Sequence, residues 1–264
     1  MGDSAKRTVL LFPSETIAKS NADLFVKALH FHDFEAICVP PVHFVYKNLS
    51  QLRAKLQTPE NYGGIIFSSP RCVEAVAEAL QQAPLSHGWK LLRNYSMGEV
   101  THNLAYKALQ QLCTIGKASN NASNLCNLIM DTYAQEPELP FLLPCGNMVG
   151  NAVRLKLLQV GYSVDACEVF ECKCHPRFSA LMKSALDAGK MEFLVFFSPA
   201  SVPQIVGYFK ANLISLAKCK VIGVGSITRK ALEREGLKVH HTIVRPIVEE
   251  LLGVMVKTNR AAKI

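Results

Sequence analysis

Two halves of this chain repeat one another. Ile65-Ile66-Phe67-Ser68-Ser69-Pro70 returns 129 positions later as Leu194-Val195-Phe196-Phe197-Ser198-Pro199. Tyr95-Ser96-Met97-Gly98 with Thr101 returns 127 positions later as Ile222-Gly223-Val224-Gly225 with Thr228. Val9-Leu10-Leu11-Phe12-Pro13 is likewise answered by Phe141-Leu142-Leu143-Pro144. Three matches in the same order at similar offsets argue for two copies of one supersecondary unit, so two domains are expected rather than one large sheet.

Each repeated piece is a short apolar run followed by a turn and a helical pattern, which is the signature of α/β units around a parallel sheet. Val9–Phe12, Glu35–Val39 and Gly64–Phe67 read as buried strands. Ala22–Leu29 and Val73–Leu80 carry helical periodicity, and Pro40-Pro41 stops the second strand. Leu237-Lys238-Val239 reads as a late strand, with His240-His241 on the surface just after it. The segments Pro40–Phe44 and Glu168–Cys172 fall at equivalent points of the two halves and read as crossovers. One lobe is then discontinuous, 1–39 with 173–264, and the other is continuous, 40–172.

Length and composition agree with such a chain. With 264 residues, 49% hydrophobic and 19% charged, it is large enough to bury a core and lies far from the composition of disordered chains. The net charge of +8 suits an anionic ligand. The basic residues are scattered, with no block of like charge that marks a nucleic-acid arm. No apolar run reaches the length of a membrane span, and Met1–Lys6 has neither a signal-peptide core nor a myristoylation pattern. Nine cysteines, an odd number and several within apolar runs, suit a reducing compartment, so a cytoplasmic location is expected.

The chemistry-bearing motifs are few. A hydroxyl at the carboxyl end of a parallel strand, as at Ser69 and Ser198, can cap the following helix or leave its N–H groups for an anion. Gly98 and Gly225 stand where a strand turns into a helix. Gly223-x-Gly225 is half of a dinucleotide fingerprint, with Thr228 in place of the third glycine, and no phosphate-loop lysine motif is present. Cys145 at a helix start is a conceivable low-pKa nucleophile or simply core filler. Cys167, Cys172, Cys174 and His175 lack the paired spacing of a zinc site. No hydrolase elbow, triad or paired-carboxylate arrangement is evident.

Tyr62–Ala75, Leu143–Asn147, Phe196–Pro199 and Ile222–Gly225 with Thr228 closely resemble the uroporphyrinogen-III synthase family in its animal form, over roughly residues 8–252. The resemblance implies two flavodoxin-like parallel-sheet lobes joined by a two-stranded connector. It implies a monomer that binds a small polyanionic substrate between the lobes, with no cofactor, metal, membrane or nucleic acid. The implied reaction cyclises the linear tetrapyrrole hydroxymethylbilane to uroporphyrinogen III, with loss of water and inversion of the last ring through a spiro intermediate. On matching positions the substrate-contact candidates are Ser69, Arg71, Thr101, Ser198, Lys220 and Thr228. Two positions depart from the family. Phe170 stands where many members have a tyrosine, leaving the catalytic proton donor unassigned, and Gly150 stands where animal members carry a basic residue, with Arg154 one turn later as a substitute. The rival reading is a tetrapyrrole binder that has lost turnover; a nucleotide-dependent α/β enzyme is a third.

Overall fold

The computed structural model describes residues 7–14, 22–81, 83–133, 139–146, 150–188 and 191–260. The chain divides into two compact units, one formed by 1–43 with 173–264 and the other by 44–172.

The first unit holds a five-stranded parallel sheet. Its strands are β1 (Arg7–Phe12), β2 (Phe34–Cys38), β8 (Met191–Phe196), β9 (Lys220–Val224) and β10 (Val239–Ile243), in the spatial order β10-β9-β8-β1-β2. That is the flavodoxin-type order. Continuous apolar runs form these strands because both faces are covered. Leu10, Phe12, Leu194 and Phe196 point into one cluster with Met182, Ile205 and Phe209 from the helices Phe178–Asp187 and Val202–Ala211. Val9, Leu11, Phe193 and Val195 point into the other, with Phe25 and Leu29 of the helix Ala22–Phe31 and Leu251 and Met255 of the helix Val248–Arg260. Successive strand residues face opposite sides, so alternation decides which cluster each joins.

The second unit holds β4 (Gly64–Phe67), β5 (Tyr95–Ser96), β6 (Phe141–Gly146) and most of β7 (Val164–Cys174), with β3 (Val42–Tyr46) added at the edge, in the order β3-β7-β6-β4-β5. One face is packed by the helices Leu49–Leu56, Pro70–Leu80 and Glu99–Ala108, the other by the helices Ala122–Thr132 and Gly150–Gln159. The Lys47 N–H donates to the Val169 carbonyl and the His175 N–H to the Pro41 carbonyl, so β3 runs antiparallel to β7. These two strands carry the chain from one unit to the other and back, and form the two-stranded connector.

The repeat read in the sequence reappears in the strand register. Ile66 pairs with Tyr95 as Val195 pairs with Ile222, and Phe67 pairs with Ser96 as Phe196 pairs with Gly223. Gly64 pairs with Phe141 as Phe193 pairs with Val9. Thus β9-β8-β1-β2 in one unit corresponds to β5-β4-β6-β7 in the other, with the chain order rotated. Even β10 has a trace of a counterpart, a single bridge from Ile115 to Tyr95.

Several elements differ from the sequence expectations. The helix expected from Val73 begins at Pro70, whose missing N–H is harmless at the first helical position. The histidines expected just past a strand at 237–239 lie inside β10, which starts at Val239. The β10 register slips between Val239 and His241, and His240 Nδ1 accepts the Val221 N–H at 3.0 Å, replacing a ladder bond. An edge strand with a bulge accommodates such polar residues. Pro144 lies within β6 beyond Leu142, the last residue there paired with β4, so its missing donor interrupts no bond on that side.

Candidate functional site

Both sheets end in the same construction. β4 runs into Ser68-Ser69 and the helix Pro70–Leu80, and β5 runs through Met97 into Gly98 and the helix Glu99–Ala108. β8 runs into Phe197-Ser198 and a 3-10 turn, Pro199–Ser201, and β9 runs into Gly225 and the helix Ser226–Arg234. Gly98 has φ 85°, ψ 162° and Gly225 has φ 83°, ψ 155°, conformations open essentially to glycine alone. The Gly98 N–H donates to the Gly116 carbonyl and the Gly225 N–H to the Ile243 carbonyl, so each turn is pinned to the neighbouring strand end. A Cβ at Gly225 would meet nothing within 4 Å and one at Gly98 only the Ser119 carbonyl at 3.8 Å, so open space lies in front of both glycines.

The hydroxyls divide differently between the units. Ser198 Oγ accepts the Ala200 N–H at 3.3 Å and therefore caps its turn. Ser69 occupies the N-cap position yet makes no capping bond; its Oγ lies 3.3 Å from Cys72 Sγ, and Ser68 Oγ lies 3.5 Å from the same sulfur. No side chain caps the helices that start at Pro70, Glu99 and Ser226. Their first-turn amides remain available to an anion.

Thr101 and Thr228 occupy the third helical position after their glycines, and each is 2% exposed. His102, next to Thr101 in the chain, ends a network absent from the sequence reading: Ser96 Oγ is 2.7 Å from Thr114 Oγ1, which is 2.9 Å from His102 Nδ1. The only local signal for it is a serine in a buried strand.

Arg71, in the first turn after Ser69, places its guanidinium carbon 3.5 Å from the centroid of the Phe44 ring. Stacking of this kind fixes the plane of the guanidinium. Phe44 meets Phe170 edge to face at 5.9 Å. Phe170, at the family's tyrosine position, is 4% exposed and lies over Gly146.

Lys220 is set apart from the other candidates. It is the first residue of β9, at the opposite end of that strand from Gly225, whereas Ser198 and Thr228 follow carboxyl ends. Its Nζ sits 3.4 Å from Glu192 Oε1, a carboxylate also held by Arg7 through Nε at 2.5 Å and Nη2 at 2.6 Å. Hydrogen bonding from Arg7 holds the Glu192 carboxyl below its ordinary range, with Lys220 adding to the effect. An ion-pair partner is the role its place supports.

The thiol readings resolve in favour of structure. Burial pushes Cys145 up to about 11, with Cys72, Glu168 and Cys167 adding to the rise and Arg154 opposing it, so the thiol stays protonated at neutral pH. Arg154 is exposed on the helix that Gly150 opens. Asn147 lies outside the described residues. Cys167 is buried while Cys174 is exposed, and among the described residues no three His, Cys, Asp or Glu side chains converge as a metal-binding group. No helix among them is long and apolar enough to cross a membrane.

These features define a class: an α/β protein of two doubly wound units, each presenting anion-receptive helix starts at the carboxyl edge of its sheet. The chain belongs to the uroporphyrinogen-III synthase family, whose model, described as uroporphyrinogen-III synthase HemD, matches residues 23–253. Two solved structures share the fold at 15% identity. One is a mutant uroporphyrinogen III synthase from Thermus thermophilus, with a TM-score of 0.67 over 96% of this chain and 99% of that one. The other is uroporphyrinogen-III synthetase from Helicobacter pylori, with a TM-score of 0.64 over the same shares. The family is one of cofactor-independent lyase-type cyclases that act on hydroxymethylbilane in tetrapyrrole biosynthesis.

Proposed function

We propose that this chain closes hydroxymethylbilane to uroporphyrinogen III at the carboxyl edges of its sheets, that Ser69, Arg71 and Ser198 build contacts there, and that the buried Thr101 and Thr228 hold the turns behind them. The observation that carries this reading is the duplicated helix start at Gly98 and Gly225, open in front and uncapped in both units. A substrate rimmed with carboxylates is matched by several such starts better than by one.

The chemistry asks mainly for positioning. The hydroxyl of the first ring leaves with a proton as water, and the ring nitrogen stabilises the cation left on the methylene carbon. The last ring attacks that carbon through its already substituted position and forms the spiro intermediate. The old bond to that position then breaks, the ring turns over, and a new bond closes the macrocycle with loss of a proton. Closure without inversion occurs spontaneously, so the protein must hold the chain where the substituted carbon reaches the cation first. Amides at the helix starts, Arg71 and the Ser198 hydroxyl grip carboxylates, with charge-assisted bonds the strongest of these. Thr101 and Thr228 act by fixing the turns.

Phe170 offers only hydrocarbon, so the proton for the departing hydroxyl comes from elsewhere. Phe170→Tyr tests this position: a donor restored there raises kcat by about tenfold or more, and an unchanged kcat removes position 170 from proton transfer. We further infer a cytoplasmic monomer with no nucleic-acid partner, supported by the dispersed positive charge and the free thiols. Gel filtration with light scattering reads the monomer directly.

A further inference from the structure

A ligand that is only anionic needs amides and cations at these edges. The structure offers something else beside them. The second residue of the helix Glu99–Ala108 is Val100, and the second residue of the helix Ser226–Arg234 is Ile227. They are 69% and 71% exposed. Scattered exposed apolar residues are ordinary. These two occupy the same place in two copies of one construction, between an open glycine turn and a buried threonine. In the first turn of a helix the dipole favours acidic or capping side chains, so a bare β-branched hydrocarbon there gains nothing from the helix. In the first unit Val244, 81% exposed, directly follows Ile243, whose carbonyl accepts the Gly225 N–H, and adds a second apolar surface beside that turn.

We propose that Val100 and Ile227 are substrate-positioning residues, each packing against the apolar face of a pyrrole ring while the adjacent helix amides hold that ring's carboxylates. The inference rests on the reading of the substrate given above and deepens it. A linear tetrapyrrole is anionic at its rim and apolar on its ring faces and methylene bridges. Amides alone fix where a carboxylate sits but leave the ring free to rotate about its side-chain bonds. A hydrocarbon contact next to each amide cluster removes that rotation, and control over ring orientation is what separates the inverted product from the spontaneous one.

The test compares Val100→Ser, Ile227→Ser and the double variant with wild type. Controls are Leu91→Ser and Leu213→Ser, which change still more exposed apolar residues elsewhere in the two units. Both target side chains are exposed, so melting temperatures should stay within about 2 °C of wild type. KM for hydroxymethylbilane is expected to rise about fivefold or more in each single variant, with a larger share of isomer I among the products; the controls should match wild type. The ratio of variant to wild-type KM should hold between low and high salt, because an apolar contact is not screened as charges are. Wild-type KM and isomer ratio in the double variant overturn the proposal. Titration with uroporphyrin III, followed by quenching of protein fluorescence, supplies a readout without turnover. If wild type makes no isomer III yet binds the porphyrin more tightly than the double variant, the catalytic reading fails and the apolar contacts stand. Equal binding by wild type and double variant removes the contacts.

Discussion

The ring of Phe170 lies so close over Gly146 that a Cβ at position 146 would fall 2.2 Å from its Cε2 atom. Gly146 therefore serves the ring and not a turn. Adding a methyl group forces the ring or the β6 backbone to move, and overpacking of this kind costs about 1–3 kcal/mol. Gly146→Ala should lower the urea midpoint accordingly. In a Phe170→Ala background the same substitution should cost nearly nothing, and an undiminished cost there would show that the clash lies elsewhere.

Gly98 and Gly225 make the contrasting case, since both have open space and a positive φ. Gly98→Ala and Gly225→Ala should each destabilise by about 1–3 kcal/mol through backbone strain alone. Gly207, within the helix Val202–Ala211 and also with nothing near its missing Cβ, has no such φ. Gly207→Ala should stabilise by about 0.4–1 kcal/mol. Thermal unfolding of the three variants reads the difference in sign.

Arg71 and Lys220 are both basic residues inherited from the family pattern, yet their places assign them different work. Arg71→Met should raise KM for the substrate about tenfold, the worth of one charge-assisted bond to a carboxylate. Lys220→Met should leave KM within about twofold and act on stability instead. A rise in KM for Lys220→Met equal to that for Arg71→Met would put Lys220 back at the binding edge.

The carboxylate that Lys220 shares with Arg7 supplies a pH test. Glu192 is held below its ordinary value of 4.5 in the folded chain, chiefly by its hydrogen bond from Arg7. A lowered folded pKa stabilises the fold fully above the unfolded value, and the gain disappears as pH falls through the folded one. Glu192→Gln should therefore melt below wild type at neutral pH, and the gap should close as pH drops below 4.5. A gap that is constant down to acid pH would contradict the ion-pair account.

Thiol reactivity should follow exposure. Cys113 and Cys174 are exposed, whereas Cys145 is buried with its pKa pushed up to about 11. Brief treatment with iodoacetamide near pH 8 should label Cys113 and Cys174 first and leave Cys145 untouched by mass spectrometry. Early labelling of Cys145 would restore it as a nucleophile candidate.

Much of the fold was legible because its signals are local. Apolar runs bounded by Ser-Pro and glycine turns place β4, β8 and the glycine turns, and the equivalence of the two halves reappears in the matching pairs Ile66 with Tyr95 and Val195 with Ile222. What the sequence hid depends on partners far along the chain. Nothing near His240 announces that its ring replaces a ladder bond to Val221, and nothing near Arg71 announces Phe44 beneath it. Strand polarity, which the motif does not carry, puts Lys220 at the end of β9 opposite Gly225. The network of Ser96, Thr114 and His102 is hidden for the same reason, since three separate segments meet there.

The most direct measurement generates hydroxymethylbilane in situ, adds the purified protein, oxidises the products and separates uroporphyrin isomers I and III by chromatography. The account predicts isomer III in proportion to added protein, with Phe170 in place. Isomer I alone, as in a protein-free control, would contradict it and leave a tetrapyrrole-binding protein without turnover.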